Sequence, residues 1–86
     1  MMKVWQPGKE EIKDTENWGI WEKEISEFEW YYDEPEICYI LQGEAEVSDK
    51  QGNSICFKPD DMVKFEQGLE CTWKIIKAIK KRYKFG

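Results

Sequence analysis

Trp30-Tyr31-Tyr32-Asp33-Glu34-Pro35-Glu36-Ile37-Cys38-Tyr39-Ile40-Leu41-Gln42-Gly43 spans the end of one strand, a turn and the whole of the next strand. Successive side chains of a strand point to opposite faces, so Phe28, Trp30 and Tyr32 share one face while Glu27 and Glu29 share the other. This strand therefore has a buried aromatic side and a wet acidic side. Asp33-Glu34-Pro35 interrupts the alternation with turn-forming residues, because proline has no N–H to give to a ladder. A second strand follows over residues 36–41, with Glu36, Cys38 and Ile40 on one face, and ends at Gln42-Gly43.

The two-residue period continues outward from there. Ala45 and Val47 alternate with Glu44, Glu46 and Ser48, and Asp49-Lys50-Gln51-Gly52-Asn53 has the composition of a hairpin loop. Ile55 and Phe57 form the return strand, Lys58-Pro59-Asp60-Asp61 a second turn, and Val63 and Phe65 alternate with Met62 and Lys64. After a third turn at Glu66-Gln67-Gly68, Leu69, Cys71, Trp73 and Ile75 share a face opposite Glu70, Thr72 and Lys74. Short strands with turns at this spacing predict an antiparallel sandwich or barrel. Toward the N-terminus, Pro7-Gly8-Lys9-Glu10-Glu11-Ile12-Lys13 allows a short helical turn. Residues 1–17 are accordingly read as an arm and residues 18–86 as the barrel domain. No window before the last residues holds a long amphipathic helix.

Two motifs give the barrel a family resemblance. The opening stretch resembles the first cupin motif, in which two histidines separated by one residue precede a glutamate and, seven positions after it, a glycine. Glu36 and Gly43 stand at the last two positions, and Trp30 and Tyr32 where the histidines would be. The second cupin motif, a GD-x-V-x-F-P-x-G turn followed by a histidine, is similar to Asp60-Asp61-Met62-Val63-Lys64-Phe65-Glu66-Gln67-Gly68, with Cys71 at the histidine position. Asp60 replaces its glycine and Glu66 its proline. Together with Trp21, Phe28-Glu29-Trp30, Trp73 and Lys81-Arg82-Tyr83, the pattern resembles the small single-domain cupins related to the cupin domain of ureidoglycine aminohydrolase, over residues 7–83. The resemblance implies an all-β cupin barrel (a double-stranded β-helix, or jelly roll) with a short N-terminal helical arm, and it implies a homodimer.

Composition narrows the function classes. A chain of 86 residues is one domain that must use its apolar residues efficiently, and five Trp, four Tyr and four Phe do so. Cys38, Cys56 and Cys71 are an odd number without CxxC spacing, which points to a reducing, cytoplasmic setting. No stretch is long and apolar enough to read as a membrane span or a signal h-region. A net charge of −5 disfavours nucleic acid as a partner. The basic run Lys77, Lys80, Lys81, Arg82 and Lys84 reads as a solvated face or edge protection.

The cupin resemblance places Trp30, Tyr32, Glu36, Cys38, Cys71 and Trp73 around one pocket mouth, and these are the candidate ligand-binding residues. Concave, mostly apolar and sparsely polar is the profile of a small-molecule site. Glu36 is the candidate catalytic residue, since a carboxylate among aromatic rings has its neutral form favoured by desolvation; the alternative is a structural carboxylate bonded to Tyr32 or to a backbone amide. The chain has no histidine, so of the ligand set that the resemblance implies only Glu36 remains, and no metal or other cofactor is expected. A Glu36, Cys38, Cys71 set is the one alternative. Without a histidine to activate it, Cys71 reads as a small buried core residue. The expected function is metal-free binding of a small organic, nitrogenous metabolite. The alternatives are a ureidoglycine aminohydrolase-like enzyme and a structural dimeric module with a filled barrel.

Overall fold

The alternating segments form seven strands and one short helix in a computed structural model that describes residues 1–86. The strands are β1 (Met2–Trp5), β2 (Gly19–Lys23), β3 (Ser26–Tyr31), β4 (Glu36–Asp49), β5 (Ser54–Phe57), β6 (Met62–Phe65) and β7 (Glu70–Phe85), and the helix is α1 (Lys9–Asp14). All pairings are antiparallel. The two long strands pair with each other from Glu36 opposite Phe85 to Asp49 opposite Cys71, and together they make the spine. One half of that spine carries β6 and then β1 beyond β4, and β2 beyond β7; the other half carries β5 beyond β4 and β3 beyond β7. Two sheets thus share continuous strands, and their inner faces close on one core as a jelly-roll cupin barrel.

The spine bends where its register slips, between Ile40 and Ala45 of β4. A strand over residues 36–41 that stops at Gln42-Gly43 is not what forms. The strand runs on to Asp49, and Gly43 sits within it at φ +93. An inserted residue moves the side chains beyond it to the other face. Hence Glu36, Cys38 and Ile40 are buried on one parity, and Ala45 and Val47 on the other. The approach of β7 is so close here that a Cβ on Gly43 would lie 2.1 Å from the Ala78 carbonyl oxygen. Asp60, at the position of the cupin motif's glycine, has φ 77, and Asp is one of the few residues that enters this left-handed region readily.

Residues 1–17 contain a strand as well as the helix. β1 pairs with β6, with Val4 opposite Val63. Helix α1 opens with the Gly8 amide donating to Glu11 Oε1 at 3.1 Å, and its end is anchored through fully buried Thr15, whose hydroxyl donates to the Ile12 carbonyl and accepts from the Arg82 guanidinium at 3.0 Å. The last residues are strand, not helix. No helix is long and apolar enough to cross a membrane.

Aromatic rings fill the centre between the sheets. Tyr32 stacks on Phe65 at 4.7 Å between ring centroids, and Phe57 and Phe65 flank Trp73 at 5.4 and 5.6 Å. Trp73 is 1 % exposed, so the face that it shares with Leu69, Cys71 and Ile75 is the core face.

Candidate functional site

The aromatic core does not fill the barrel. Beside Trp73 lies a cavity of about 200 Å³, partly open to solvent. Phe28 and Trp30 of β3 and Trp73 of β7 line it from one sheet, and Trp21 of β2 with Tyr83 and Phe85 of β7 from the other; Tyr32, Glu36 and Lys81 contribute its polar atoms. Phe28 stacks nearly parallel to Trp73, with an interplanar angle of 9° and centroids 6.0 Å apart. Trp30 stands at the mouth, 52 % exposed, so this end of the aromatic face of β3 is not buried as the alternation predicts. It is the last but one residue of its strand.

At the base of the cavity sits an ion pair. The Lys81 ammonium donates to Glu36 Oε2 at 2.6 Å, and both side chains are almost fully buried. Lys81 Nζ also lies 4.8 Å from the ring centroids of both Trp21 and Trp73. Beneath the pair, the Cys38 thiol donates to Glu36 Oε2 at 3.4 Å, and its sulfur accepts from Lys81 at 3.7 Å. Glu36 is therefore neither a lone carboxylate among rings nor bonded to Tyr32 or a backbone amide. Its charge is matched by Lys81. Tyr32 Oη instead accepts from Trp73 Nε1 at 3.2 Å. The reading of Lys81 as part of a solvated basic face is corrected likewise, since it continues the inward parity of Cys71, Trp73, Ile75 and Ile79. Lys77 has the same parity but falls at the register slip, where it is exposed and pairs with Glu44 at 3.5 Å.

No bond within the protein uses Glu36 Oε1, while every fully buried side-chain nitrogen and oxygen is paired. Oε1 is therefore an acceptor that opens on the cavity. Of the expected ligand-binding residues, Trp30, Tyr32, Glu36 and Trp73 do line it. Cys38 lies below the ion pair, and Cys71 lies outside the cavity, its thiol donating to the Trp30 carbonyl at 3.5 Å. The sequence reading missed Trp21, Phe28, Lys81, Tyr83 and Phe85 as cavity residues; the alternation through β3 and β7 was the signal that could have found all but Trp21.

Both buried thiols are held in their protonated form. Burial pushes the Cys38 thiol up to about 12, with Lys81 opposing and the Glu36 charge reinforcing, and burial next to the Asp49 charge pushes Cys71 up to about 11. Burial, reinforced by the Glu36 charge, raises the Tyr32 phenol too. Above the ordinary thiol value of 9.0 the unfolded chain releases protons that the native state keeps, so stability is complete below pH 9.0 and falls as pH rises toward the native values. Each thiol contributes a slope of up to about 1.4 kcal/mol per pH unit. The urea midpoint is expected to drop above pH 9.0 and to drop less steeply in Cys38→Ala; parallel profiles for the two proteins would show that the thiol does not titrate this way.

These groups do not fit the metal that cupin motifs imply. Trp30 and Tyr32 occupy two of the ligand positions, the Tyr32 hydroxyl is engaged by Trp73, Cys71 turns away, and the ammonium of Lys81 sits against the one retained carboxylate. No three His, Cys, Asp or Glu side chains converge anywhere in the chain, and Glu36, Cys38 and Cys71 do not form a set.

A jelly roll with its pocket between the two bent sheets and the motif residues Glu36 and Gly43 on its longest central pair is a cupin domain. The chain belongs to the EutQ-like cupin domain family, whose family model matches residues 10–83. It is similar over the full length of both chains to a DUF861 family protein from Thermotoga maritima, at 42 % identity and a TM-score of 0.97. A Clostridium difficile EutQ protein shares the fold at 17 % identity and a TM-score of 0.69; the match covers 76 % of this chain and 51 % of that one. A DUF861 protein of unknown function from Pseudomonas syringae does so at 23 % identity and a TM-score of 0.72, over 79 % and 29 % of the two chains. No functionally curated protein matches.

Proposed function

We propose that this EutQ-like cupin domain binds a small, planar organic molecule that carries an N–H donor, and that it does so without a metal. The observation that carries this reading is the cavity of about 200 Å³, apolar on its walls, with the unused Glu36 Oε1 at its base. Aromatic walls favour flat ligands through stacking and area burial. A buried carboxylate oxygen favours a donor, since leaving that oxygen unpaired in a complex is costly. The same cavity argues against a barrel filled solid. Release of ammonia from a ureido compound, which kinship with ureidoglycine aminohydrolase implies, has no supporting observation in the pocket. The carboxylate that would act there is engaged by Lys81.

The test is thermal stabilisation of the protein in excess chelator by a panel of amides, ureas and nitrogen heterocycles, followed by titration of the best compound against Trp30→Ala. Trp30 is half-exposed, so its loss spares the fold. Binding is expected to persist in chelator and to weaken about tenfold in Trp30→Ala. Stabilisation that appears only when metal is added back, or a panel without any effect, would sink the reading.

A further inference from the structure

Lys81 is the charged group of the cavity to which ligand binding by itself gives no role. Aromatic faces beside a carboxylate are the parts from which proteins build receptors for ammonium ions. Trp21, Trp73 and Glu36 form such a receptor, and the chain's own ammonium occupies it, 4.8 Å from both ring centroids and 2.6 Å from the carboxylate. The side chain is 5 % exposed, so this contact is not a surface encounter that solvent screens.

We infer that Lys81 is the resident cation of the pocket, and that it makes the pocket select neutral N–H donors over protonated amines. The inference rests on the ligand-binding reading and adds the charge of the ligand to it. An incoming ammonium would meet a like charge at short range in a site with little water. A neutral amide, urea or heterocycle would meet a carboxylate whose charge is already balanced and whose Oε1 still accepts a hydrogen bond. Removing the lysine head group should then reveal the cation receptor beneath it.

Two matched measurements test this. Calorimetry of the wild type with benzamide and with benzylammonium, similar in size and different in charge, should show benzamide bound at least about tenfold more tightly. Lys81→Ala should be stabilised by n-propylammonium, which restores the missing stem and head group, with a saturable rise in melting temperature of about 5 °C. The wild type should not respond to it. Benzylammonium bound by the wild type as tightly as benzamide would overturn the inference and leave the ligand reading standing. Lys81→Ala unmoved by propylammonium would overturn it whatever the wild type binds. A wild type that takes neither probe, beside a Lys81→Ala protein that takes propylammonium, would count against the ligand reading and support Lys81 as the occupant of the cation position. Should Lys81→Ala fail to fold, Lys81→Gln, which keeps a donor toward Glu36, replaces it. It is then expected to bind benzylammonium more tightly than the wild type does, and affinity that is unchanged or lower counts against the inference.

Discussion

Gly43→Ala is expected to destabilise the protein by about 4 kcal/mol or more, and to leave much of it unfolded at moderate temperature. Two costs combine. The backbone at φ +93 is strained for any residue with a Cβ. That Cβ would also lie 2.1 Å from the Ala78 carbonyl oxygen and 2.7 Å from the Lys77 carbonyl oxygen. Both neighbours are backbone of β7 and have no rotamer by which to yield, so relief requires the spine to open where the sheets bend. Gly52→Ala is the control, because Gly52 has φ +88 with nothing within 4 Å of the added carbon. It carries the strain alone, about 1 to 2 kcal/mol. Urea denaturation followed by tryptophan fluorescence measures both. Equal losses in the two variants would mean that the close approach of β4 and β7 contributes nothing.

The second large effect is at the ion pair. Glu36→Gln leaves the Lys81 ammonium buried without its counterion, and Lys81→Met leaves the carboxylate so. Removing one partner of a buried pair costs about 3 to 5 kcal/mol, whereas removing both leaves no uncompensated charge. The double variant is therefore expected to be more stable than either single one, with a coupling energy above about 2 kcal/mol in a double-mutant cycle. Single losses near 1 kcal/mol that simply add would show that water reaches the pair and screens it. The comparison also separates the stabilising role of Lys81 from its proposed exclusion of ammonium ligands, since the double variant recovers stability without recovering the charge.

Much of the barrel was legible because the period of a strand is short and local. The faces of β3, β5, β6 and the first half of β7 follow from alternation, and the motif spacing of Glu36, Gly43 and Gly68 resembles the cupin pattern. The rest depends on contacts between distant segments. β1 is a four-residue strand whose partner lies some sixty residues away. The bulge at Gly43 joins two runs that look like separate strands, although the change of parity between Ile40 and Ala45 was its trace. Within the site, alternation says which face a side chain takes and not how far along the barrel it lies. Cys71 and Trp73 share a face, yet Trp73 borders the cavity and Cys71 does not. Lys81 was hidden by its neighbours: four further basic residues between Lys77 and Lys84 gave the run the look of a wet surface, while its parity pointed inward.

The joining of the two sheets through β4 and β7 also governs how the protein reaches its native state. Glu36 and Lys81 are separated by 45 positions, and Tyr32 and Trp73 by 41, so no early local hairpin brings the pocket's two sides together. The chain must first close a long loop, at an entropic cost that contacts repay only once the central ladder has zipped. A nascent chain that has not yet delivered β7 therefore has neither cavity nor ion pair. The cavity arises in the same step that commits the molecule to its fold.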